Sequence, residues 1–180
     1  TETIAVTRSL VGSNPFSPLT LVVQLGATTT DFAVVASGLI WLTRSISTGG
    51  LALTRAIAQH FSFEISQAEE YKKVYGLLSD QLEGKVLDTL KPLIDIIAGE
   101  SKRVIQAFEA KYKNPIKRVV LSGGGAKMPG LVIYFANNLG LEVQEADPWY
   151  SVVKDKGMIS KLTSDAPSYS VAVGLAERPD

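Results

Sequence analysis

The polar groups best placed for ligand chemistry lie in two glycine-rich turns, each of which follows an apolar run. The first turn joins the apolar runs 21–25 and 32–36 and consists of Gly26, Ala27, Thr28, Thr29, Thr30 and Asp31. Its backbone N–H groups and threonine hydroxyls are donors of the kind that bind an anion such as phosphate. The same residue types fit an ordinary tight hairpin equally well, since Gly and Asp favour turns and Thr favours strands.

The second turn follows the apolar run 119–121 and precedes a helical pattern. It consists of Ser122, Gly123, Gly124, Gly125, Ala126, Lys127, Met128, Pro129 and Gly130. Consecutive glycines allow a close approach to the backbone, either by a flat ligand or by another backbone segment. We favour a nucleoside, because the two turns together indicate a nucleotide site built from separated loops on one sheet.

Composition excludes several other classes of site. The chain has 180 residues, enough for one domain or two small lobes, and its 18 basic and 18 acidic residues balance. This balance argues against nucleic-acid binding. Without cysteine, and with His60 as its one histidine, the chain offers no disulfide, thiolate metal site or histidine triad. We expect no metal site built by this chain alone.

Apolar runs and the N-terminus bear on location. The longest apolar run is far shorter than the roughly 18 residues that indicate a membrane span, and no secretory signal is visible. We therefore expect a soluble, cytoplasmic protein with no direct membrane insertion. Because the chain begins at Thr1 within a helical pattern, we also expect it to be a fragment of a longer protein.

The first half of the chain predicts a β-meander preceded and followed by helices. Residues 2–11 have helical spacing, and short strands are expected at 20–25, 31–37 and 39–47. The short connections between these strands favour antiparallel pairing. A helix is expected at 51–61, and Ser66, with Glu69 three residues later, predicts the N-cap of another that ends near Gly76.

The second half predicts a long helix followed by a β-α-β unit. The helical region is expected at 80–113, with Pro92 as a kink or first-turn position. A strand at 117–121, a helix at 131–139 and a short strand at 141–143 follow. Residues 145–164 are rich in loop residues, and 166–177 predicts a terminal helix. The whole order predicts an α/β fold with a mixed sheet flanked by helices.

Four segments resemble the actin-like ATPase superfamily, and most closely the PilM family of type IV pilus assembly proteins, which is related to FtsA. Residues 25–31 resemble its second phosphate loop, and 68–76 its Ala-Glu-x-x-Lys-x-x-Tyr-Gly helix. Residues 122–131 resemble the adenosine motif, and 166–176 the terminal Ala-x-Gly-Leu-Ala helix. The resemblance implies the ribonuclease-H-like lobe of an actin-like ATPase.

The resemblance also implies roles for individual residues. ATP or ADP would be the ligand, with Mg²⁺ in the intact protein. The first turn, from Gly26 to Asp31, would face the phosphates. Residues surrounding the adenosine would be Glu69, Lys72, Gly123, Gly124, Gly125 and Met128. Gln24, Gly49 and Gly50 are second-rank positions near the nucleotide. Without the resemblance, Glu69 and Lys72 would be interpreted as a solvated ion pair on one helix face.

The same resemblance implies a domain division and partners. Residues 1–19 would be a helix and linker from a preceding lobe, 20–165 the second lobe, and 166–180 a helix returning toward the first lobe. The partner would be a PilN-like inner-membrane pilus assembly protein, with this protein peripheral to that membrane on the cytoplasmic side. Self-association as a homo-oligomer is a further expectation.

Departures from the family pattern bear on catalysis. Gln24 stands where the family has an aspartate that helps to hold Mg²⁺, and the first phosphate loop is absent from this chain. We therefore expect weak or no ATP hydrolysis and assign no catalytic residue. Two alternatives stay open. One is a scaffold of actin-like fold that uses no nucleotide, and the other is a sugar or acetate kinase with Asp31 in the cleft.

Overall fold

A computed structural model describes residues 2–11, 18–150, 152–153 and 159–178. A mixed sheet of five strands lies at its centre, in the order β3-β2-β1-β4-β5. The strands are β1 (Thr20–Leu25), β2 (Thr30–Ala36), β3 (Leu39–Ile46), β4 (Arg118–Ser122) and β5 (Glu142–Glu145). The helices are α1 (Glu2–Val11), α2 (Gly50–Phe61), α3 (Ile65–Tyr75), α4 (Lys85–Tyr112), α5 (Leu131–Leu139), α6 (Ile159–Asp165) and α7 (Ser170–Ala176). Short 3-10 helices are Leu82–Gly84, Gly124–Lys127 and Ala166–Tyr169.

The predicted meander is confirmed. Strand β2 runs antiparallel to both β1 and β3, with an irregularity between Val34 and Val35. Strand β1 also pairs with β4 in parallel, and Gln24 lies opposite Ser122 at the end of this pairing. Because the carboxyl ends of parallel neighbours meet at one edge of a sheet, the two glycine-rich turns emerge side by side.

Alternating side chains of β1 feed two separate cores. Leu21, Val23 and Leu25 are fully buried in the larger core, against α2, α3, α4 and α5. Val22 points to the opposite face, where it packs in a smaller cluster with α1. This period of two is what a strand covered on both faces requires, and it places helices on both sides of the sheet.

Helices α1 and α7 lie against each other on the smaller-core face. Their backbones approach so closely that a Cβ on Gly174 would be 1.8 Å from the carbonyl oxygen of Ala5. Arg8 donates to the Gly174 carbonyl at 2.6 Å, and the Ser9 hydroxyl donates to the Ser170 carbonyl at 2.8 Å. The first and last helices of the chain are thus held together by glycine packing and by side-chain hydrogen bonds.

Three details of the predicted elements are wrong. Helix α3 begins at Ile65 with Glu64 at the N-cap position, and no side chain caps it, so Ser66 lies inside the first turn. The Glu64 carbonyl already accepts from the Ala68 amide, which places the helix start before Ser66. Residues 145–164, predicted as loop-rich, include most of α6. The single terminal helix predicted at 166–177 is a 3-10 turn followed by α7.

The long predicted helical region is shorter than 80–113 but continuous. A 3-10 turn precedes it, and α4 then runs from Lys85 to Tyr112 with Pro92 inside it. Buried residues such as Leu90, Ile94 and Ile97 hold its apolar stripe on the larger core, and this packing outweighs the hydrogen bond that a proline removes. None of the described helices has the length and apolar composition needed to cross a bilayer.

Candidate functional site

The first glycine-rich turn closes the β1–β2 hairpin. The Gly26 amide donates to the Thr29 carbonyl at 2.9 Å, which leaves Ala27 and Thr28 exposed at the tip. The Thr29 hydroxyl donates to Asp31 at 3.2 Å. Thr30 is fully buried, and its hydroxyl donates to the Thr48 carbonyl at 2.6 Å. Among the predicted phosphate residues, those at the tip therefore face solvent, whereas the Thr30 side chain is engaged within the fold.

Helix α2 begins directly on this turn. The Gly50 amide donates to the Gly26 carbonyl at 2.9 Å, and the Leu51 amide donates to the Ala27 carbonyl at 2.8 Å. A Cβ on Gly49 would be 2.7 Å from the Ala27 carbonyl oxygen. The hairpin carbonyls thus satisfy the first donors of the helix, which would otherwise be unpaired. The close approach gives Gly49 a structural reason to be glycine.

Glu69 and Lys72 do not form the solvated pair that their spacing alone indicates. Lys72 is only 8% exposed. Its ammonium donates to Glu69 Oε2 at 2.6 Å, to Thr54 Oγ1 at 2.8 Å and to the Gly50 carbonyl at 3.1 Å. The pair therefore links α3 to the first turn of α2, beside the β1–β2 hairpin.

Burial and charge act in opposite directions on the Glu69 carboxyl. Burial raises its pKa, because a charged group loses hydration. Hydrogen bonds from Lys72 and Thr54, together with the positive charges of Lys72 and Lys73, lower its pKa and outweigh the burial. The net pKa lies below the ordinary value of 4.5. Glu69 is therefore ionised at neutral pH and offers acceptor oxygens only.

The glycines of the second turn divide into two kinds. Gly123 has a φ of +85°, and a Cβ there would be 2.4 Å from the Leu25 carbonyl oxygen. A Cβ on Gly125 would be 2.8 Å from the Leu25 Cβ. Packing against β1 thus accounts for glycine at these two positions. Gly124 is exposed, and its nearest neighbour would be the Ser168 hydroxyl at 3.9 Å.

The end of α3 lies on the second turn. The Leu77 amide donates to the Pro129 carbonyl at 2.8 Å. A Cβ on Gly76 would be 2.6 Å from the same oxygen and 2.9 Å from Met128 Cγ. Met128 is buried, with 5% of its surface exposed. The tight contact explains why glycine follows α3 at position 76. Met128 packs beneath the second turn.

Four segments therefore form a closed circuit of contacts at one end of the sheet. Their order is the hairpin turn 26–29, the start of α2 at 49–51, helix α3 from Glu69 to Gly76, and the glycine turn 123–130. The circuit closes where Gly123 packs against Leu25, the residue directly before the hairpin turn. Residues far apart in the sequence, predicted separately for phosphate and adenosine, are brought together here.

Two contributors to this site were missed by the sequence reasoning. Thr54 is buried and bonds Lys72, and it lies four residues after Gly50 on the same helix face, a spacing that could have drawn attention to it. The Pro167 carbonyl accepts from the Gly123 amide at 2.8 Å and so holds the second turn from the far end of the chain. Pro167 lies in the segment 166–176 that resembles the terminal motif, but nothing in the sequence indicates its contact with the second turn.

The side-chain oxygens at the hairpin fit the coordination of Mg²⁺ only in part. Gln24 and Asp31 lie opposite each other in the β1–β2 ladder, and Gln24 Oε1 is buried with no hydrogen-bond partner. Within the described residues, no three Asp, Glu, His or Cys side chains gather into a metal cluster. Mg²⁺ is commonly held by one or two carboxylates together with waters and phosphate oxygens. Asp31 supplies one carboxylate. The Gln24 oxygen is an acceptor for a hydrogen bond from a water molecule bound to the metal.

Known proteins match this chain in both sequence and fold. The sequence model of the family described as type IV pilus assembly protein PilM matches residues 2–179. The cell division protein FtsA of Neisseria meningitidis serogroup B is 26% identical over 179 residues, which covers 86% of this chain and 41% of FtsA. This chain therefore spans less than half the length of that relative.

Solved structures share the same architecture. A chain of the PilM–PilN type IV pilus biogenesis complex has a TM-score of 0.83 and 25% identity, covering 97% of this chain and 50% of its own length. MreB5 of Spiroplasma citri, bound to ADP, has a TM-score of 0.68 and 20% identity, covering 97% of this chain and 56% of its own length. These matches confirm the predicted actin-like α/β fold. Together with the family match over nearly the whole sequence, they show that this chain belongs to the PilM family of type IV pilus assembly proteins.

Proposed function

We propose that this chain is the adenosine-binding lobe of a PilM-type pilus assembly protein, and that ATP or ADP binds at the four-segment circuit. The observation that carries the proposal is the circuit itself, in which an exposed hairpin tip, an ionised Glu69 and an open Gly124 share one end of the sheet. These features supply donors for phosphate, an acceptor for a sugar hydroxyl and an open backbone for a flat base.

Each region of the circuit has a distinct role in this proposal. The backbone amides of Ala27, Thr28 and Thr29, together with the Thr28 hydroxyl, donate to phosphate oxygens. Glu69 accepts from the ribose, and the base lies over Gly124. Gly123, Gly125 and Met128 shape the turn from beneath, as their close contacts and burial support. The fold neighbour MreB5 is bound to ADP, which agrees with this class of ligand.

Mg²⁺ would neutralise the phosphates and polarise them when bound. Asp31 and the Gln24 amide oxygen would hold its water shell, with the remaining ligands drawn from the nucleotide. Gln24 brings no negative charge to the cation. We therefore propose a site in this chain that binds nucleotide and hydrolyses it weakly or not at all, because phosphoryl transfer depends on a firmly held cation.

The whole protein would use this site as a switch. Because this chain covers 41% of FtsA and 50% of the matching chain in the PilM–PilN complex, we propose that residues 20–165 form one of two lobes, and that 1–19 and 166–180 connect it to the other. Nucleotide would favour the closed arrangement of the lobes. A PilN-like inner-membrane protein would be the partner that senses it, by analogy with the PilM–PilN complex, at the cytoplasmic side of that membrane.

Calorimetric titration of this chain with ADP and ATP, with and without Mg²⁺, tests the proposal. We expect both nucleotides to bind more tightly than about 1 mM, equivalent to roughly −4 kcal/mol. Guanosine diphosphate serves as the control ligand and should bind more weakly. The absence of both heat and a thermal shift at millimolar ADP would contradict nucleotide binding by this chain.

A second function, a scaffold that acts through self-association, is supported by the edge of the sheet. Leu39 and Trp41 on the edge strand β3 are 64% and 47% exposed. Exposed apolar side chains on an edge strand favour pairing with another chain. Sedimentation at several concentrations, with and without ADP, separates the two functions. Self-association that is the same with and without ADP would favour the scaffold function.

A further inference from the structure

We propose that Thr54 is a positioning residue of the nucleotide site. In this proposal Lys72 connects Thr54, Glu69 and Gly50 and does not contact the ligand. In this arrangement Thr54 and Lys72 together hold one oxygen of Glu69, so that the other oxygen is presented to a ribose hydroxyl. The inference rests on the proposed function, because it concerns how the same site recognises its sugar.

The Thr54 hydroxyl lies at the centre of a buried polar cluster. Thr54 is 1% exposed, and its Oγ1 accepts from the Lys72 ammonium at 2.8 Å. The same oxygen lies 2.5 Å from Glu69 Oε2 and 2.9 Å from the Gly50 carbonyl oxygen, so its proton has two acceptors within reach. A buried hydroxyl with this many partners restricts the geometry of each of them.

Lys72 has no donor left for a nucleotide. An ammonium carries three N–H groups, and those of Lys72 are directed at Glu69, Thr54 and Gly50. Its charge also lies beside the N-terminus of α2, where a helix disfavours a cation. Glu69 offsets that charge, which explains why the two side chains are held together.

Glu69 presents its two oxygens to different surroundings. Oε2 receives the hydrogen bonds of both Lys72 and Thr54. Oε1 has the ammonium of the exposed Lys73 at 3.8 Å, and about a third of the Glu69 side chain is exposed. Oε1 is therefore the acceptor available to a ligand. A ribose hydroxyl can donate a hydrogen bond to this carboxylate oxygen.

Gly50 extends the effect to the phosphate hairpin. Its carbonyl accepts from Lys72, whereas its amide donates to the Gly26 carbonyl. A displaced Lys72 would therefore disturb the first turn of α2 and, through it, the hairpin. Thr54 thus acts on both ends of the site without contacting the ligand in either place.

The ratio of two dissociation constants tests this role. This chain is titrated with ADP and with 2′,3′-dideoxy-ADP. The dissociation constant of 2′,3′-dideoxy-ADP divided by that of ADP measures how much the ribose hydroxyls contribute to binding. We expect the unaltered chain to prefer ADP, and Thr54→Val to lose most of that preference, with the ratio falling toward one. Thr54→Ser keeps the hydroxyl and should restore the preference. A general loss of stability would weaken both ligands alike and would leave the ratio unchanged.

Thr89 provides a matched control. Its hydroxyl donates to the carbonyl four residues earlier in α4 at 2.8 Å, as a helical threonine does, and Thr89 lies outside the four segments of the circuit. Thr89→Val should leave the ratio unchanged. If Thr54→Val does not fold, Thr54→Cys, with its weak thiol donor, decides by the same ratio and should reduce it.

Each outcome has one meaning. A Thr54→Val chain that folds and keeps the original preference for ADP overturns the positioning role. A loss of preference that Thr54→Ser does not restore overturns it as well. If the unaltered chain binds neither nucleotide, the proposed function itself fails, and that result is distinct from a failure of the inference about Thr54.

Discussion

Gly123 packs on Leu25 with no room for a side chain, since a Cβ on Gly123 would be 2.4 Å from the Leu25 carbonyl oxygen. This contact joins the end of β4 to the end of β1 and brings the two glycine-rich turns together. A Cβ on Gly124, one residue further, would come no closer than 3.9 Å to its nearest neighbour, the Ser168 hydroxyl. Neighbouring glycines of one motif therefore serve different purposes, and substitutions can separate them.

Gly124→Leu should abolish ADP binding without unfolding the chain. The position is exposed and has no left-handed φ, so a side chain is tolerated there. A leucine would occupy the space that we assign to the base. We expect at least a tenfold loss of affinity by calorimetry, with the free energy of unfolding changed by about 0.5 kcal/mol or less, as for other surface substitutions. Retained ADP affinity in the folded variant would contradict our assignment of the base.

Gly123→Ala should instead destabilise the fold. A φ of +85° is costly for alanine, and the added Cβ would overlap the Leu25 carbonyl. Strain and overpacking together should cost about 2–4 kcal/mol. Denaturant unfolding measures this loss. A Gly123→Ala chain as stable as the original would show that the turn can move away from β1.

Gly174→Ala should separate the first and last helices. The added Cβ would be 1.8 Å from the Ala5 carbonyl oxygen, so α7 must shift away from α1. We expect a loss of about 1–3 kcal/mol in the free energy of unfolding. Gly99→Ala in α4 is the matched control, because a Cβ there meets nothing within 4 Å. It should stabilise the chain by about 0.5–1 kcal/mol, and a loss in both variants would argue against the packing explanation.

Acid should weaken the chain partly through Glu69. Its folded pKa lies below the ordinary value of 4.5, so its contribution to stability is present above that pH and is lost as the pH falls through the folded pKa. Glu69→Gln should therefore reduce stability at pH 7 and flatten its decline below about pH 4.5. Unfolding midpoints between pH 7 and 3 measure both effects.

Glu70→Gln is the control for this experiment, since that side chain is 69% exposed. Glu69→Gln should alter the pH profile more than Glu70→Gln does. Some decline will persist in every variant, because a hydrogen bond from Lys91 also lowers the pKa of Asp95. Identical pH profiles for the Glu69→Gln chain and the original would show that the pair with Lys72 contributes nothing to stability.

Gln24→Asp should make nucleotide binding more dependent on Mg²⁺. The substitution places a second carboxylate opposite Asp31 in the hairpin ladder, and a second negative charge strengthens the attraction for a hard cation such as Mg²⁺. We expect Mg²⁺ to strengthen ADP binding more than in the original chain, tenfold if the carboxylate contributes about 1.4 kcal/mol. Without Mg²⁺, the repelling carboxylates should weaken the fold. An unchanged response to Mg²⁺ would place the cation elsewhere.

Local patterns in the sequence predicted most of the elements. The apolar run from Thr20 to Leu25 and its short connections predicted the meander, since strand pairing across tight turns depends on nearby residues. The Ser66 cap was wrong because the start of α3 depends on which carbonyl accepts first, and Glu64 competes for that position. Helix α6 was missed because nothing in its own apolar pattern distinguishes it from a loop.

The sequence by itself determined the α/β class, the antiparallel meander, the two glycine-rich turns and the resemblance to the PilM family, all of which depend on short-range patterns. Only the tertiary structure decided that Lys72 is buried against Thr54 and Gly50 and is not solvated. It also decided that Leu25 accounts for Gly123 and Gly125, whereas Gly124 stays open. The physical reason is that burial and close contact arise between segments far apart in the chain, and residue type at one position does not specify its distant neighbour.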